Sequence, residues 1–359
     1  MDLTMDGRKV LPQPGQSLLE LVKQLGLDGS TLTERPLAAK IAGEVFTLNY
    51  IPVRQKEAEA DRQSMRRAMA ASNGEIRLLR YADPAGKECY IRTAQFVIFL
   101  AIRQLWPEAT AKMTCTLGSS VYISVAGAKD FSASTLKARV SELVGQDIPL
   151  IRRRVKLQKA IDRFREEGQT DKARLLSWRT VDYFDEYAYG DFADYYYGEM
   201  MPSTGYLTVW DILPADGGFV FVYPDDGNPE ICAKVPPMPN FFSVFNEGER
   251  WGELMECQTV ADLNDLTNSG RIRELIRVNE ALHEKRFSQV ADQVCQRGAK
   301  AVLLAGPSSS GKTTSANRLA TQLRVHGKKP ILMSLDDYYI DRDKIAPGPD
   351  GKLDLEHIN

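Results

Sequence analysis

Apolar and polar residues form short runs at the start of the chain, and glycine-containing turns separate these runs. Such a pattern predicts β-hairpins. The paired runs are residues 3–5 with 9–11 and residues 37–41 with 45–48. Between the hairpins, apolar residues recur at helical spacing over 18–25. Ser17 precedes this stretch, and Glu20 lies three residues after Ser17, which is the spacing of a capping box. Residues 1–58 are therefore predicted to form a small α+β domain.

A polar, helix-prone stretch at 56–72 is predicted to link this domain to the next. One helix is predicted at 94–105, where Trp106 and Pro107 end the apolar pattern. A second is predicted at 150–176, as a single helix or as a helix pair interrupted at Gly168. Strand composition marks residues 112–125, 206–212 and 219–223. The mixture predicts a second α+β domain that ends near residue 235.

Three prolines between residues 235 and 239 predict an extended connector, and the amphipathic pattern over 271–297 predicts a long helix. The apolar run at 301–305 has the character of a buried parallel strand and begins an α/β domain. The predicted divisions of the chain are 1–58, 59–235, 236–297 and 298–359.

Composition narrows the class of protein. The 359 residues are 43% hydrophobic and carry a net charge of −2, so no global positive field points to nucleic acid or to a membrane. None of the five cysteines forms a C-x-x-C pair. The N-terminus lacks the apolar segment of a signal peptide, and no apolar run approaches the roughly 18 residues that span a bilayer. These features predict a reduced, cytoplasmic protein without a membrane partner, and they leave its oligomeric state open.

Residues 306–313, GPSSSGKT, match the phosphate-loop pattern G-x-x-x-x-G-K-[ST] between the apolar run at 301–305 and a predicted helix at 314–323. Small residues let backbone N–H groups surround a phosphate at the positive end of a helix. Lys312 would reach the β- and γ-phosphates of ATP, and the Thr313 hydroxyl would ligate Mg²⁺. The predicted nucleotide-binding residues are Gly306, Ser308, Ser309, Ser310, Gly311, Lys312, Thr313 and Thr314.

A second apolar run at 329–335 predicts the next strand, and Asp336 and Asp337 follow at its carboxyl end. Ligands of open α/β sheets bind at this end of the strands. Asp336 is therefore a candidate to accept a proton from an attacking hydroxyl or to hold Mg²⁺ through water. The alternative for either acid is a solvated turn or a helix cap. With Lys312, Asp336 is predicted to be catalytic.

The segments GPSSSGKTT, SLDDYY and DLEHIN resemble the uridine kinase and phosphoribulokinase family. The resemblance implies an ATP-dependent nucleoside kinase that phosphorylates a 5′-hydroxyl, with Asp336 as the base, Tyr339 in the nucleoside pocket and Glu356 at the ribose. Residues 299–359 are too few for a complete doubly wound sheet, so the chain is expected to be part of a longer protein.

Residues 1–58 resemble a TGS domain, a β-grasp module of threonyl-tRNA synthetases. The next domain resembles the editing-type second domain of those enzymes, through MPSTG at 201–205 and the segment 92–107. The expected fold is thus multidomain: an α+β β-grasp domain and an α+β synthetase-like domain, followed by the start of an α/β P-loop NTPase domain.

In that family the candidate metal-binding residues form the motifs H-x-x-x-H and C-x-x-x-H, and the synthetase-like domain of this chain has other residues at those positions. These four positions are Arg92, Phe96, Tyr196 and Met200. None is a good zinc ligand or general base. The domain is therefore expected neither to bind zinc nor to hydrolyse mischarged tRNA.

Two further features are compatible with RNA contact, but for each of them a purely structural role is favoured. The basic cluster at 152–154 with Lys156 and Lys159 suits either RNA phosphate or a solvated helix face, and the aromatic run at 183–197 suits either base stacking or core packing. A nucleoside kinase is the leading hypothesis. The alternative is a nucleotide-switched binding protein, associated with RNA or the ribosome, in which the synthetase-like domains act.

Overall fold

The computed structural model divides into two units, Met1–Gly248 and Glu249–Asn359. The structure describes residues 3–13, 15–52, 74–236, 247–248, 250–307, 309–338, 340–348 and 353. Within this described part, no helix is both long and apolar enough to cross a membrane.

The first sheet of the first unit is mixed, with strand order β2-β1-β5-β3-β4. Its strands are β1 (Leu3–Met5), β2 (Arg8–Val10), β3 (Ala38–Ile41), β4 (Glu44–Thr47) and β5 (Glu75–Leu79). Both predicted hairpins are present, and β1 and β5 pair in parallel at the centre. Because β5 completes this sheet, the sheet extends beyond the division expected at residue 58.

Helix α1 (Leu18–Gln24) packs on the first sheet, and the predicted capping box is confirmed. The Ser17 Oγ accepts from the Glu20 N–H, and a Glu20 carboxylate oxygen accepts from the Ser17 N–H at 2.7 Å. Leu18, Leu21 and Val22 are buried in its core, as the apolar stripe predicts.

The second sheet is antiparallel, with strand order β11-β12-β7-β6. The strands are β6 (Thr110–Thr116), β7 (Ser120–Ala126), β11 (Asp211–Ala215) and β12 (Gly218–Val222). Helices α2 (Pro84–Leu105) and α3 (Ala133–Gly145) share the largest apolar core of the unit with this sheet. Helix α2 ends where the sequence predicts, but begins ten residues earlier, because Pro84 at its first turn is compatible with helix initiation.

The third sheet corrects one prediction. Strands β8 (Arg152–Lys156), β9 (Tyr183–Tyr189) and β10 (Phe192–Asp194) pair antiparallel in the order β10-β9-β8. The basic cluster, predicted to begin a helix at residue 150, is thus a strand, because it pairs along its whole length with β9. Helices α4 (Leu157–Glu166) and α5 (Thr170–Ser177) follow, and the predicted break at Gly168, which has φ +74°, is confirmed.

The second unit is largely helical in its described part. Its helices include α6 (Val260–Asn268), α7 (Ile272–Gln296) and α8 (Lys312–Val325). Glu284 joins α7 to α8 by accepting from Arg318 at 2.6 Å and from Gln322 at 2.7 Å.

The strands predicted at 301–305 and 329–335 are absent from the described part of this unit. Leu303 is 95% exposed and Ile331 is 86% exposed, so neither run is buried. A β-strand needs a neighbour to pair its backbone groups, and the described residues of the second unit supply none. Apolar composition alone therefore misled the prediction.

Candidate functional site

Helix α2 and the loop at 195–201 pack against each other at a junction, here called the cleft although Phe96 and Met200 fill it, that contains the four positions compared with metal residues. Arg92 and Phe96 are one helical turn apart on α2 and therefore lie on one face. The rings of Phe96 and Tyr196 are 6.2 Å apart between centroids, which brings helix and loop together at this face. Sequence reasoning had related these positions only through a family resemblance.

Arg92 is held by its own helix and by the facing loop. Its Nη2 donates to the Glu88 carboxylate at 2.5 Å, and its Nη1 donates to the Glu199 backbone carbonyl at 3.2 Å. A Cβ at Gly198, where φ is +120°, would lie 2.6 Å from Arg92 Cζ. The glycine thus permits the guanidinium to lie against the loop backbone.

Apolar groups occupy the interior of the cleft. The side chains of Phe96 and Met200 are fully buried, and the Phe96 ring also packs against Phe192, with 5.4 Å between centroids. Tyr196 is half-buried, and burial raises the pKa of its hydroxyl. The four positions consequently offer packing and one fixed cation.

A buried carboxylate beside these residues escaped the sequence analysis. Glu199 is 8% exposed, and its carboxylate accepts from the Tyr187 hydroxyl at 3.1 Å and lies 2.8 Å from Arg152 Nη1. Burial raises the pKa of the Glu199 carboxyl, and the nearby Arg152 charge and the Tyr187 hydrogen bond only partly oppose this. An acid among the aromatic and apolar residues of 195–201 was the available signal.

The raised pKa of Glu199 predicts a pH-dependent effect of Glu199→Gln. Between the ordinary carboxyl value of 4.5 and the higher folded value, the folded wild type binds more protons than the unfolded chain, so its stability falls as pH rises. Glutamine lacks this titration. We therefore expect the unfolding free energy of Glu199→Gln, relative to wild type, to increase from acidic to neutral pH in denaturant titrations.

Glu230 provides the opposite control. Its carboxylate accepts from the Thr33 hydroxyl and backbone N–H, both at 2.7 Å, and these hydrogen bonds lower its pKa. The ionised Glu230 carboxylate therefore stabilises the folded chain above the ordinary pKa range of a carboxyl group, and this stabilisation is lost as the pH falls through the lowered pKa of the folded state. Glu230→Gln should show the reverse slope, and slopes of the same sign for the two variants would contradict one of the two pKa assignments.

The segment MPSTG has a structural role next to the cleft. The Thr204 hydroxyl donates to the Leu143 carbonyl at 2.6 Å and accepts from the Ile148 N–H at 2.9 Å, while Ser203 bonds to Asp147. A Cβ at Gly205 would lie 2.3 Å from a carboxylate oxygen of Asp147. The motif therefore fixes the chain after α3 and supplies no reactive group to the cleft.

The part of the chain that the structure describes holds no group of three or more His, Cys, Asp or Glu side chains suited to a metal ion. The nearest thiol to the cleft, Cys89 on α2, is buried, and burial raises its pKa to about 12. At neutral pH this thiol is protonated and so a poor nucleophile.

Two described residues of the phosphate-loop segment in the second unit have a left-handed backbone. Gly311, with φ +81°, is the N-cap of α8, and Ser309 has φ +60°. A Cβ at Gly306 would lie 2.7 Å from the Ser310 Oγ, so a side chain there would displace the Ser310 hydroxyl. That the loop forms a cradle for a phosphate stays a prediction.

Lys312 closes this loop on itself. Its Nζ donates to the Gly306 and Pro307 carbonyls, each at 2.8 Å. Thr313 and Thr314 are exposed in the first turn of α8. All three side chains are thus accessible at the helix N-terminus, although their predicted roles toward ATP and Mg²⁺ stay predictions.

Among the described residues, no hydrogen bond or ion pair joins the two predicted acids to the loop. Asp336 and Asp337 are exposed in the 3₁₀ turn Leu335–Tyr338, and the described contacts include none between these acids and the loop. Ser308, Tyr339 and Glu356 lie outside the described residues.

Comparison with known proteins relates the chain to aminoacyl-tRNA ligases. No protein-family model matches it. It is 25% identical over 209 residues to the threonine–tRNA ligase of Halorhodospira halophila, covering 57% of this chain and 31% of the ligase. It is 22% identical over 279 residues to the ligase of Clostridium kluyveri, covering 77% and 39% of the two chains.

A third relative, the threonine–tRNA ligase of Paraburkholderia xenovorans, is 28% identical over 141 residues, which cover 38% of this chain and 22% of that ligase. The chain contains a threonyl-tRNA synthetase-like region and spans well under half the length of these relatives. The prediction that it is a nucleoside kinase is wrong, because the relatives are threonine–tRNA ligases. The catalytic roles of Lys312 and Asp336 and the nucleoside substrate depended on that prediction.

Proposed function

We propose that the chain is an RNA-binding protein that recognises tRNA or a tRNA-like RNA through its synthetase-like region and responds to ATP through its second unit. The observation that carries the proposal is the similarity to ligases whose names specify tRNA. The cleft of the first unit adds a constraint, since it presents packed apolar groups and a fixed guanidinium. Binding without ester hydrolysis is the function this combination supports.

The proposed function of the cleft involves no zinc-dependent chemistry. Zinc ligands in proteins are mostly His, Cys, Asp and Glu. The side chains at the compared positions, Arg92, Phe96, Tyr196 and Met200, include none of these types. Filling the cleft with Phe96 and Met200 also removes the space a substrate ester would need.

The first sheet supports the assignment of a TGS-like β-grasp module. Strands β1 and β5 pair in parallel, β2 and β3 pair antiparallel on their outer sides, and one helix packs on the sheet, which makes a mixed sheet of the expected kind. We propose that residues 1–58 together with β5 form this module. It would extend the RNA-binding surface of the first unit.

In the second unit we propose an ATP site at Gly306–Thr314, as the beginning of a P-loop NTPase domain. The cradle at Gly306 and the left-handed Gly311 fit a phosphate group. Lys312 would exchange its two carbonyl partners for the β- and γ-phosphates, and Thr313 would hold Mg²⁺. Asp336 is the acid proposed to face the ion, and the nucleotide acts as a ligand that alters RNA affinity.

The test is fluorescence anisotropy with the full chain at one stated salt concentration, because phosphate contacts make RNA affinity salt-dependent. The probes are labelled threonine tRNA, a second tRNA and a DNA duplex of similar length. We expect tRNA to bind at least about tenfold more tightly than the duplex, a difference of about 1.4 kcal/mol. ATP with Mg²⁺ should change the tRNA affinity.

Equal affinity for tRNA and the DNA duplex would refute specific RNA recognition. A tRNA affinity that is unaffected by ATP, in a chain that binds ATP, would refute the regulatory part alone. The anisotropy titrations give the RNA affinities, and calorimetry with ATP establishes that the chain binds the nucleotide.

A further inference from the structure

A row of cationic side chains follows one face of strand β8. Arg152, Arg154 and Lys156, here named the β8 row, occupy alternate positions and therefore share a face, with about 6.7 Å from one to the next. The side chains of Arg152 and Arg154 are 40% and 58% exposed, and Lys156 is exposed. Their cross-strand partners on β9 are Tyr187, Asp185 and Tyr183, in that order.

The outer end of the row carries an ordered cation on an exposed aromatic ring. Tyr183 is 38% exposed, and the Arg154 guanidinium carbon lies 3.9 Å from its ring centroid. Asp185 holds this guanidinium by accepting from Nε at 2.8 Å and from Nη2 at 3.0 Å. The two-bond geometry fixes the pair in place before any ligand binds.

The inner end of the row reaches the cleft. Arg152 lies 2.8 Å from the Glu199 carboxylate, which in turn accepts from the buried Tyr187 hydroxyl. The Met200 N–H donates to the same hydroxyl oxygen at 3.1 Å. A ligand that followed the row from Tyr183 would therefore be led to the cleft wall.

The charge around the row is positive on its outer side. Three cationic side chains and two carboxylates meet on this face, an excess of one positive charge in a chain whose net charge is −2. They are Arg152, Arg154 and Lys156 with Asp185 and Glu199. Glu199 is nearly buried, while the side chains of Arg152 and Arg154 are 40% and 58% exposed.

We propose that the β8 row and Tyr183 bind a single, unpaired strand of RNA. Arg152 and Lys156 contact phosphates, and a base stacks at the Tyr183–Arg154 pair. A single strand fits better than a duplex because only unpaired bases offer their faces to an aromatic side chain on a sheet. This inference rests on the proposed RNA binding and locates its contact surface.

The experiment measures binding of a short, unstructured, labelled RNA to the full chain by anisotropy. Tyr183→Leu is expected to weaken binding about tenfold, because one stacked base is lost. Tyr183→Phe keeps the ring and should keep the affinity. Tyr189→Leu is the matched control, since Tyr189 is equally exposed, at 38%, at the opposite end of the same strand.

A charge variant tests the phosphate contacts separately. Lys156→Gln should reduce the slope of log affinity against log salt by about one, as expected for one lost phosphate contact. Lys129→Gln, at another exposed lysine of the first unit, should leave the slope unchanged. Circular dichroism of each variant confirms that it is folded.

The outcomes separate this inference from the proposed function. If wild type binds RNA and Tyr183→Leu binds equally well, or Tyr189→Leu loses as much affinity, the β8 row is not the site while RNA binding stands. If wild type binds no RNA, both proposals fail. If a poly-glutamate peptide competes as strongly as the RNA, the row is an acidic-peptide surface and this inference is overturned.

Discussion

Replacing Phe96 by alanine is expected to destabilise the first unit by about 3–5 kcal/mol, the usual cost of removing a buried phenylalanine ring. The ring is fully buried in the core shared by α2 and the second sheet, and it contacts Phe192 and Tyr196. Because domains are stable by only roughly 5–15 kcal/mol, this loss is large. It would show that the residue in the family's metal position now serves packing.

The measurement is denaturant unfolding of the full chain, followed by tryptophan fluorescence. Only one of the four tryptophans, Trp251, belongs to the second unit, so a Trp251→Phe background makes the signal specific to the first. Tyr197→Ala is the matched control: this aromatic of the same cleft wall is 73% exposed, and its loss should cost less than about 1 kcal/mol. Similar losses for the two variants would contradict the packing role of Phe96.

Replacing Lys312 by alanine is expected to weaken binding of ATP with Mg²⁺ about tenfold to a hundredfold. A hydrogen bond to a charged group contributes about 1.5–3 kcal/mol, which corresponds to this range. Lys312 is exposed and, within the described part of the chain, donates to the Gly306 and Pro307 carbonyls of its own loop, so its removal leaves no buried charge there. The loss should therefore appear in nucleotide affinity and leave the stability of the chain nearly unchanged.

Isothermal titration calorimetry of the full chain provides the measurement. Lys328→Ala is the matched control, because it removes the same charge just beyond the C-terminal end of α8. The 14 residues of that helix place about 21 Å between its two ends. If Lys312→Ala and Lys328→Ala bind ATP equally well, the loop is not the nucleotide site.

The match between sequence and structure depended on how local each signal was. The capping box at Ser17, the break at Gly168 and the long helix α7 were predicted, because each follows from contacts or backbone preferences within a few residues. The cluster at 152–154 was assigned to a helix but forms a strand, because its pairing with β9 joins residues some thirty positions apart. Local composition carries no record of such pairing.

The candidate sites divide in the same way. Sequence spacing predicted a phosphate loop, and in that segment Gly311 has the left-handed backbone that glycine adopts most readily. The Glu199 site was not predicted, because its partners Tyr187 and Arg152 come from two different strands. Only folding brings these three groups together.

By itself, the sequence determined the hairpins, the caps, the phosphate-loop motif and the absence of zinc-type residues at the four compared positions. These depend on residue identity and short spacing. Tertiary structure alone decided that β5 completes the first sheet, that Asn49 donates to the Leu150 and Pro202 carbonyls, and that a buried acid lies beside Arg152. The physical reason is that burial, long-range pairing and the pKa shift of Glu199 arise from neighbours that are distant in the chain.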